Sequence, residues 1–188
     1  MPRKKEFNTA NVVEKAMQLF WVHGYKGTSM QMLEKEMGIN KFSIYASFGN
    51  KQGLFFESFN YYKKTVDATL NTLKKASNGP EAIKQFFYNS VGFNAMTGHD
   101  RKGCFVTNTY PEFSESEDKF IKEQMLSFMD TLKLLISEKL KTNQTKSKET
   151  IIQQTNFLLL AKHGLAAAAR VNSTKEIKDY IEMTFKNI

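Results

Sequence analysis

The stretch TSMQMLEKEMGINKFSIYASFGNK, residues 28–51, decides the fold of this chain. Thr28 stands three residues before Gln31, which is the spacing of a capping box and predicts the start of a helix. Gly38 predicts the end of that helix, because glycine enters the left-handed conformation without steric cost. Asn40 is suited to cap a second helix. The stretch therefore predicts two short helices joined by a tight turn.

The second of these helices has too few apolar residues to be buried on all sides. Ile44 and Phe48 lie four residues apart, so we expect both to share one face that packs inward. Its remaining faces carry Lys41, Phe42, Ser43, Tyr45 and Ser47. Two short helices, a glycine-centred turn and a largely exposed second helix are typical of a helix-turn-helix that reads DNA.

A longer helix is predicted before this pair, over residues 8–23, with Gly24 at its end. Its apolar residues recur at helical spacing and predict one buried stripe: Val13, Ala16, Met17, Phe20 and Trp21. With the two short helices it completes a three-helix DNA-binding domain, which we assign to residues 1–53. Residues 54–188 then form a second domain.

Positive charge is concentrated near the N-terminus. Of the net charge of +8, half lies in residues 1–53, which are little more than a quarter of the chain. A basic end on a nearly neutral body points to a nucleic-acid partner. The chain has one cysteine, no secretory signal and no apolar run near the roughly 20 residues that span a bilayer. We therefore expect a cytoplasmic protein without a membrane partner.

Residues 23–55, HGYKGTSMQMLEKEMGINKFSIYASFGNKQGLF, resemble the DNA-binding head of the TetR/AcrR family of bacterial regulators. The residues that match, in order, are Phe20, Gly24, Tyr25, Thr28, Ser29, Leu33, Gly38, Ile39, Tyr45, Phe48, Lys51 and Leu54. The resemblance implies an all-α repressor in which residues 54–188 form a larger helical domain for ligand binding and dimerisation. It also implies a homodimer that binds a palindromic operator in double-stranded DNA and is released by a small-molecule or electrophile inducer. Two residues depart from the family pattern. Position 42 is usually a small residue but is Phe42 here, and position 47 is often His or Tyr but is Ser47 here.

The predicted DNA contacts follow from residue types and from this resemblance. Hydroxyl and amide groups at the first turn of a helix suit a phosphate, while Lys41 suits a guanine edge and Phe42 a thymine methyl. The resemblance implies further backbone contacts from Tyr45 and Lys51. The complete predicted set is Thr28, Ser29, Gln31, Lys41, Phe42, Ser43, Tyr45, Ser47 and Lys51.

Six further helices are predicted after the head, which gives about nine in all. Hydrophobic periodicity places them near residues 50–76, 80–96, 104–108, 116–141 and 148–171, with a last helix capped by Ser173 and Glu176. The helix over 148–171 is apolar on more than one face, so something must cover it. Either it forms an internal layer of a monomer with the last helix, or the two helices form a bundle between subunits.

The dimer is favoured because a palindromic operator requires a twofold reader. The predicted dimer interface consists of Leu160, Gly164, Leu165, Ala168, Ile177, Tyr180 and Ile181.

A sensor site is predicted around the only cysteine. GCFVTN, residues 103–108, resembles a Gly-Cys-apolar-x-x-Asn motif found in a subset of the family, in which some members respond to electrophiles through the cysteine. His99, Arg101 and Lys102 are cations that would favour a thiolate nearby; the alternative is a buried structural cysteine. The predicted ligand or sensor residues are Cys104, Phe105, Asn108, Phe86, Phe93, Phe128, Phe157 and His163.

Two other functions are alternatives to DNA binding. A thiol-dependent enzyme would use Cys104 with His99, but these residues form no recognised nucleophile motif. An all-helical interaction module would bind another protein through its basic head. The sequence contains no HExxH, CxxC or EF-hand pattern, so we expect no catalytic residue, cofactor or metal.

Overall fold

The computed structural model describes residues 7–77, 79–92, 102–113, 118–142, 145–186 and 188. These residues form nine α-helices and one short 3-10 helix, with no β-strand among them. The all-α prediction is confirmed. The chain divides into two compact units, Met1–Val66 and Asp67–Ile188. That division falls inside a helix, whereas the functional boundary after residue 53 stays a prediction.

The first unit contains α1 (Thr9–Gly27), α2 (Met30–Met37), α3 (Lys41–Phe48) and the first part of α4 (Lys51–Lys75). The predicted end of α1 at Gly24 is instead a kink, where Gly24 has φ 77° and ψ 175° and the helix continues to Gly27. Most of the predicted stripe of α1 is buried, although Trp21 is only half-buried. The core of this unit contains residues from all four helices: Val13, Ala16, Met17, Phe20, Leu33, Ile44, Leu54, Phe55 and Phe59.

The N-cap of α2 lies one residue later than the capping-box spacing predicted. Ser29, rather than Thr28, is the N-cap, and its hydroxyl accepts the amide of Met32 at 3.2 Å. Thr28 is fully buried, and its hydroxyl donates to the carbonyl of Gly24 at 2.7 Å. Gly24 has left the helical conformation, so its carbonyl is taken by this side chain.

The second unit contains the rest of α4, then α5 (Gly79–Ser90), α6 (Phe105–Thr109), the 3-10 helix Tyr110–Glu112, α7 (Lys119–Leu140), α8 (Lys148–Ala168) and α9 (Thr174–Phe185). The predicted helix over 80–96 ends at Ser90, and residues 93–96 lie outside the described residues. The helix predicted to reach 171 ends at Ala168. The capping box of α9 is confirmed, with the amides of Ser173 and Glu176 each bonded to the other's side chain.

Three lysines are buried in the second unit, although the sequence predicted none there. The ammonium of Lys122 lies 4.9 Å from the ring centre of Tyr110, and that of Lys162 lies 6.0 Å from the ring centre of Phe86. Lys139 donates to backbone carbonyls at the end of α4. In the part of the chain that the structure describes, no helix is long and apolar enough to cross a membrane.

Candidate nucleic-acid interface

Helix α3 buries one face and exposes the others. Ile44 is completely buried and Phe48 is half-buried, as their spacing predicted. Phe42 is 80% exposed, although it is the largest apolar side chain near the start of the helix. Lys41 and Tyr45 are also exposed, and Ser43 and Ser47 are half-buried. A large apolar ring left in solvent on a short helix marks a surface that is available to a partner.

The turn before α3 is built as the sequence predicted. Gly38 has φ 69° in the left-handed region, and its amide donates to the carbonyl of Glu34 at 3.0 Å. The side chain of Asn40 caps α3 by accepting the amide of Ser43 at 2.8 Å. These local bonds set the exit of α2 and the entry of α3.

Two lysines of the head lie over aromatic rings. The ammonium of Lys41 is 5.6 Å from the ring centre of Tyr45, and that of Lys51 is 4.6 Å from the ring centre of Tyr25. Tyr25 also packs against the core ring of Phe55, at 5.2 Å between centres. The first turn of α4 therefore holds Lys51 against the ring of a residue anchored in the core.

The first turn of α2 brings together two of its three predicted phosphate contacts. Ser29 and Gln31 are exposed. The third prediction, a contact from the side chain of Thr28, does not agree with the structure, because this hydroxyl is buried and already bonded to Gly24. The sequence pattern could not separate Thr28 from Ser29, since both are ordinary N-cap residues.

One residue of this region was missed by the sequence reasoning. The carboxylate oxygen Oε1 of Glu34, on α2, accepts the backbone amide of Lys41, the first residue of α3. The two residues are seven apart and lie on opposite sides of the Gly38 turn. No capping motif has this spacing, so the only signal was an acidic residue near the end of α2.

The predicted sensor segment packs against α8. Gly103 has φ 71°, and a Cβ atom placed on it would lie 2.4 Å from the carbonyl oxygen of Ala166. Cys104 follows as the half-buried N-cap residue of α6. The side-chain amide of Asn108 donates to the carbonyl of Lys102 at 2.8 Å. The Gly-Cys-apolar-x-x-Asn pattern is thus a turn that the hydrogen bond of Asn108 closes. Only glycine fits at position 103, because any side chain there would clash with the backbone of α8.

Lys162 lies one turn before Ala166 on α8 and is buried. Burial lowers the pKa of Lys162, and the negative charge that Cys104 carries when ionised opposes that shift. The pKa of the neighbouring His163 is lowered by burial and by the charge of Lys162. Of the cations predicted near the thiol, His99 and Arg101 lie outside the described residues, and the structure adds Lys162.

The remaining predicted sensor residues are scattered. Phe105 and Phe86 are buried, Phe128 and His163 are half-buried, and Phe93 lies outside the described residues. Phe157 is half-exposed on α8, so it does not line an enclosed pocket with Phe105. A groove of about 250 Å³ between α4 and α5 includes Phe86 with Thr69, Thr72, Gln85 and Asn89. Among the described residues, no group of three or more His, Cys, Asp or Glu could hold a metal.

The predicted dimer interface is split between surface and core. Leu165, Ile177 and Ile181 are buried in the core of the second unit, so they cannot contact a partner directly. Ala168 is half-buried. The remaining predicted residues, Leu160, Gly164 and Tyr180, are exposed. Three exposed apolar side chains outside the predicted interface lie on the same two helices: Ile152, Phe157 and Met183. We call these six residues the outer α8–α9 face.

Helical periodicity alone could not orient α8, because its apolar residues surround the helix. The structure resolves this by placing Leu165 inward and leaving Leu160 69% exposed. Tyr180 lies beside Gly164, with its hydroxyl donating to the carbonyl of Ala161 at 3.1 Å. Exposed apolar side chains on two packed helices are a candidate protein–protein contact.

Comparison with known sequences supports the interpretation of the N-terminal helices as a DNA-binding helix-turn-helix. Residues 12–57 match the family described as bacterial regulatory proteins, tetR family. The uncharacterized HTH-type transcriptional regulator YezE of Bacillus subtilis (strain 168) is 35% identical over 111 residues, which cover 58% of this chain and 56% of YezE. This match therefore spans little more than half of that relative. The HTH-type transcriptional repressor ComR of Escherichia coli (strain K12) is 25% identical over 180 residues, covering 93% of this chain and 85% of ComR.

A solved structure with the same fold covers nearly the whole chain. A cysteine mutant of the TetR family transcriptional regulator CifR, complexed with a 26-bp double-strand operator DNA, has a TM-score of 0.85 at 20% identity. The match covers 98% of each chain. At this identity it shows the fold, a helix-turn-helix head followed by a larger helical domain. These relatives are described as transcriptional regulators or repressors and not as enzymes.

Proposed function

We propose that this protein, whose residues 12–57 match the tetR family of bacterial regulatory proteins, is a homodimeric transcriptional repressor of the cytoplasm. It binds a palindromic operator in double-stranded DNA and leaves it when an inducer binds. The observation that carries the proposal is α3, which buries Ile44 while Lys41, Phe42 and Tyr45 face solvent. A helix that exposes base-reading side chains on a buried anchor is what a recognition helix requires.

Helix α3 would enter the major groove with its N-terminal residues at the base edges. Lys41 would donate to the acceptors of a guanine, and Phe42 would contact a thymine methyl. Ser29 and Gln31 at the first turn of α2, with Tyr45 and Lys51, would hold the phosphates. We omit the side chain of Thr28 from this set because its hydroxyl is used inside the head. Ser43 and Ser47 complete the proposed contact set.

The outer α8–α9 face would pair with the same face of a second copy. Leu160 and Met183, at 69% and 66% exposure, are large apolar side chains that such pairing would remove from water. A twofold contact uses the same patch on both subunits. A palindromic operator would require the two recognition helices of such a dimer to reach half-sites about one helical turn, roughly 34 Å, apart. Gly164 would permit the helices to approach closely.

An inducer would act by binding better to a conformation that cannot span both half-sites. Only its difference in affinity between the two conformations can drive release. We propose two places where this difference arises in the second unit. A small molecule would use the groove beside Phe86. An electrophile would add to Cys104, whose thiolate would be stabilised by the ammonium of Lys162.

Selection of bound sequences from random duplex DNA tests the function directly. We expect a palindrome to be enriched, and the affinity for it to fall steeply with salt because phosphate contacts release counterions. The selection is repeated with N-ethylmaleimide, which should reduce recovery of the same palindrome. If no duplex is enriched by the folded protein, DNA recognition by this chain is wrong.

A further inference from the structure

The N-terminus of the recognition helix α3 is closed by two different side chains. Asn40 accepts the amide of Ser43 at 2.8 Å, which is an ordinary N-cap. Glu34 accepts the amide of Lys41 from the neighbouring helix α2. The backbone carbonyl of Glu34 also accepts the amide of Gly38 at 3.0 Å. A single residue therefore helps to end α2 and to begin α3.

The bond from Glu34 is strong for physical reasons. The first amides of a helix have no partner within the helix, and the helix dipole favours a negative charge at that end. A carboxylate accepting a backbone amide is a charge-assisted bond, about twice as strong as a neutral one. Glu34 is half-buried, so water competes with this bond less than at a fully exposed site.

The position of the bond matters more than its strength. Asn40 directly precedes α3 in the chain, whereas Glu34 lies within α2. α2 is anchored to the core through Leu33, the residue before Glu34. The bond thus joins the first residue of α3 to the helix it packs against. Lys41 and Phe42 are the first two residues of α3. The direction of both side chains therefore depends on how this end of the helix is held.

The same bond leaves fewer free amides for a phosphate at the start of α3 than at the start of α2. An anion at a helix N-terminus is held by free amides, but the carboxylate of Glu34 already occupies the first amide of α3. Helix α2 differs, because Ser29 caps the amide of Met32 and not those of Met30 and Gln31. The first turn of α2 is therefore the better phosphate site, and the start of α3 is left to the bases.

We propose that Glu34 is the positioning residue of the recognition helix: through the amide of Lys41 it aims Lys41 and Phe42 at the bases, and sequence specificity depends on it. Glu34 itself contacts no base in this proposal. The inference rests on the proposed DNA-binding function and adds a residue that the family resemblance did not include.

The test compares specific with non-specific binding. Glu34→Met keeps the length of the side chain and removes the acceptor, and Glu34→Ala is a second variant with the same loss. Glu34→Gln keeps an oxygen that can accept the amide. Glu36→Ala is the matched control, because Glu36 is exposed on the same helix and its loss removes the same charge. Affinities are measured for the duplex selected by the wild type and for an unrelated duplex of equal length, at one salt concentration.

We expect Glu34→Met to lower the ratio of specific to non-specific affinity by about tenfold, as the loss of a charged hydrogen bond predicts. Glu34→Gln should keep most of the ratio. Glu36→Ala should raise both affinities together, because a repelling charge is lost, and leave the ratio unchanged. A purely structural role would lower both affinities in proportion to the fraction unfolded, and thermal melting of each variant measures that fraction.

A second selection, with Glu34→Met, locates the effect. Base preferences that disappear in Lys41→Ala or Phe42→Ala should weaken, and those that depend on Ser47 should remain. The inference is overturned if Glu34→Met and Glu36→Ala give the same ratio, or if preferences weaken equally at all positions. If Glu34→Met does not fold, the same outcomes are judged with Glu34→Ala. If the wild type enriches no duplex at all, the proposed function fails instead.

Discussion

The ammonium of Lys139, on α7, donates to the backbone carbonyl of Lys74 at 2.7 Å and to that of Ala76, and so closes the C-terminal end of α4. The last carbonyls of a helix have no partner within it, and a cation there is favoured by the helix dipole. Lys139 supplies both the hydrogen-bond donor and the positive charge. Its ammonium group is therefore buried with backbone oxygens as its partners. The long helix that begins at Lys51 is thereby fastened at its far end.

Lys139→Met should destabilise the second unit. Two carbonyls lose a charged donor, which costs about 2–3 kcal/mol in the free energy of unfolding. Denaturant unfolding measures this loss. Lys141→Met is the control, because Lys141 is exposed two residues later. Equal effects of the two substitutions would show that the contact to Lys74 does not stabilise the fold.

Phe42→Ala should weaken binding to the selected operator at one base pair. A mismatched base pair in a binding site costs about 1–3 kcal/mol, and loss of the apolar contact with the thymine methyl removes part of that discrimination. Affinity for the thymine-containing site should therefore fall by roughly tenfold. The same substitution should leave binding to a site with cytosine at that position nearly unchanged. Fluorescence anisotropy with both duplexes measures the difference. An equal loss on both duplexes would contradict direct reading by Phe42.

Leu160→Glu should separate the proposed dimer. It places a charge at the centre of the outer α8–α9 face, where pairing would bury it without a partner. Sedimentation velocity should show a monomer, and operator affinity should fall because two half-sites are no longer bound together. Leu134→Glu is the control, since Leu134 is 65% exposed on α7, outside this face. A dimer that survives Leu160→Glu would place the interface elsewhere.

Glu182 should contribute to stability above acidic pH. Hydrogen bonds from Lys84 at 2.8 Å and from Tyr88 at 2.6 Å lower the pKa of Glu182 below its usual value. A carboxyl with a depressed pKa in the folded state stabilises the fold above its unfolded pKa, and that contribution is lost as pH falls through the folded pKa. Unfolding at pH 6 and pH 3 should show a smaller acid loss in Glu182→Gln. Glu138→Gln, exposed on α7, should retain the wild-type pH dependence.

The same contacts predict a loss of stability at high pH. Burial, followed by the hydrogen bond to Glu182, raises the pKa of Tyr88 to about 12. A raised pKa means that this contribution is present below the unfolded value of about 10 and is lost as pH rises toward 12. Tyr88→Phe should flatten this part of the pH profile of unfolding. An unchanged alkaline profile would mean that the Tyr88 hydroxyl is not linked to folding.

Alkylation reports on Cys104 alone, because it is the only cysteine of the chain. Lys162→Met should slow its reaction with monobromobimane at pH 7 several-fold, since a nearby ammonium favours the thiolate. Lys133→Met, exposed on α7, is the control. Cys104→Ser should abolish release from the operator by N-ethylmaleimide. Release that persists in Cys104→Ser would show that this thiol is structural.

The sequence predicted the head well because its signals are local. A cap, a glycine and a hydrophobic repeat act within about four residues, as at Gly38 and Asn40, and each was found where the pattern placed it. The capping box of Ser173 is another case. The polar and aromatic faces of α3 were also predicted, because one short helix with a single buried position leaves little choice of orientation.

The sequence by itself determined the class of the protein, all-α with a helix-turn-helix head, since helix-forming signals lie within each segment. Only the tertiary structure decided that Leu165 faces inward while Leu160 faces outward, that Thr28 is internal, and that Lys162 is buried. It also joined Glu34 to Lys41 across a turn and Lys139 to Lys74 across 65 residues. The physical reason is that burial and long-range hydrogen bonds depend on which helices pack together, and no spacing within one helix records that choice.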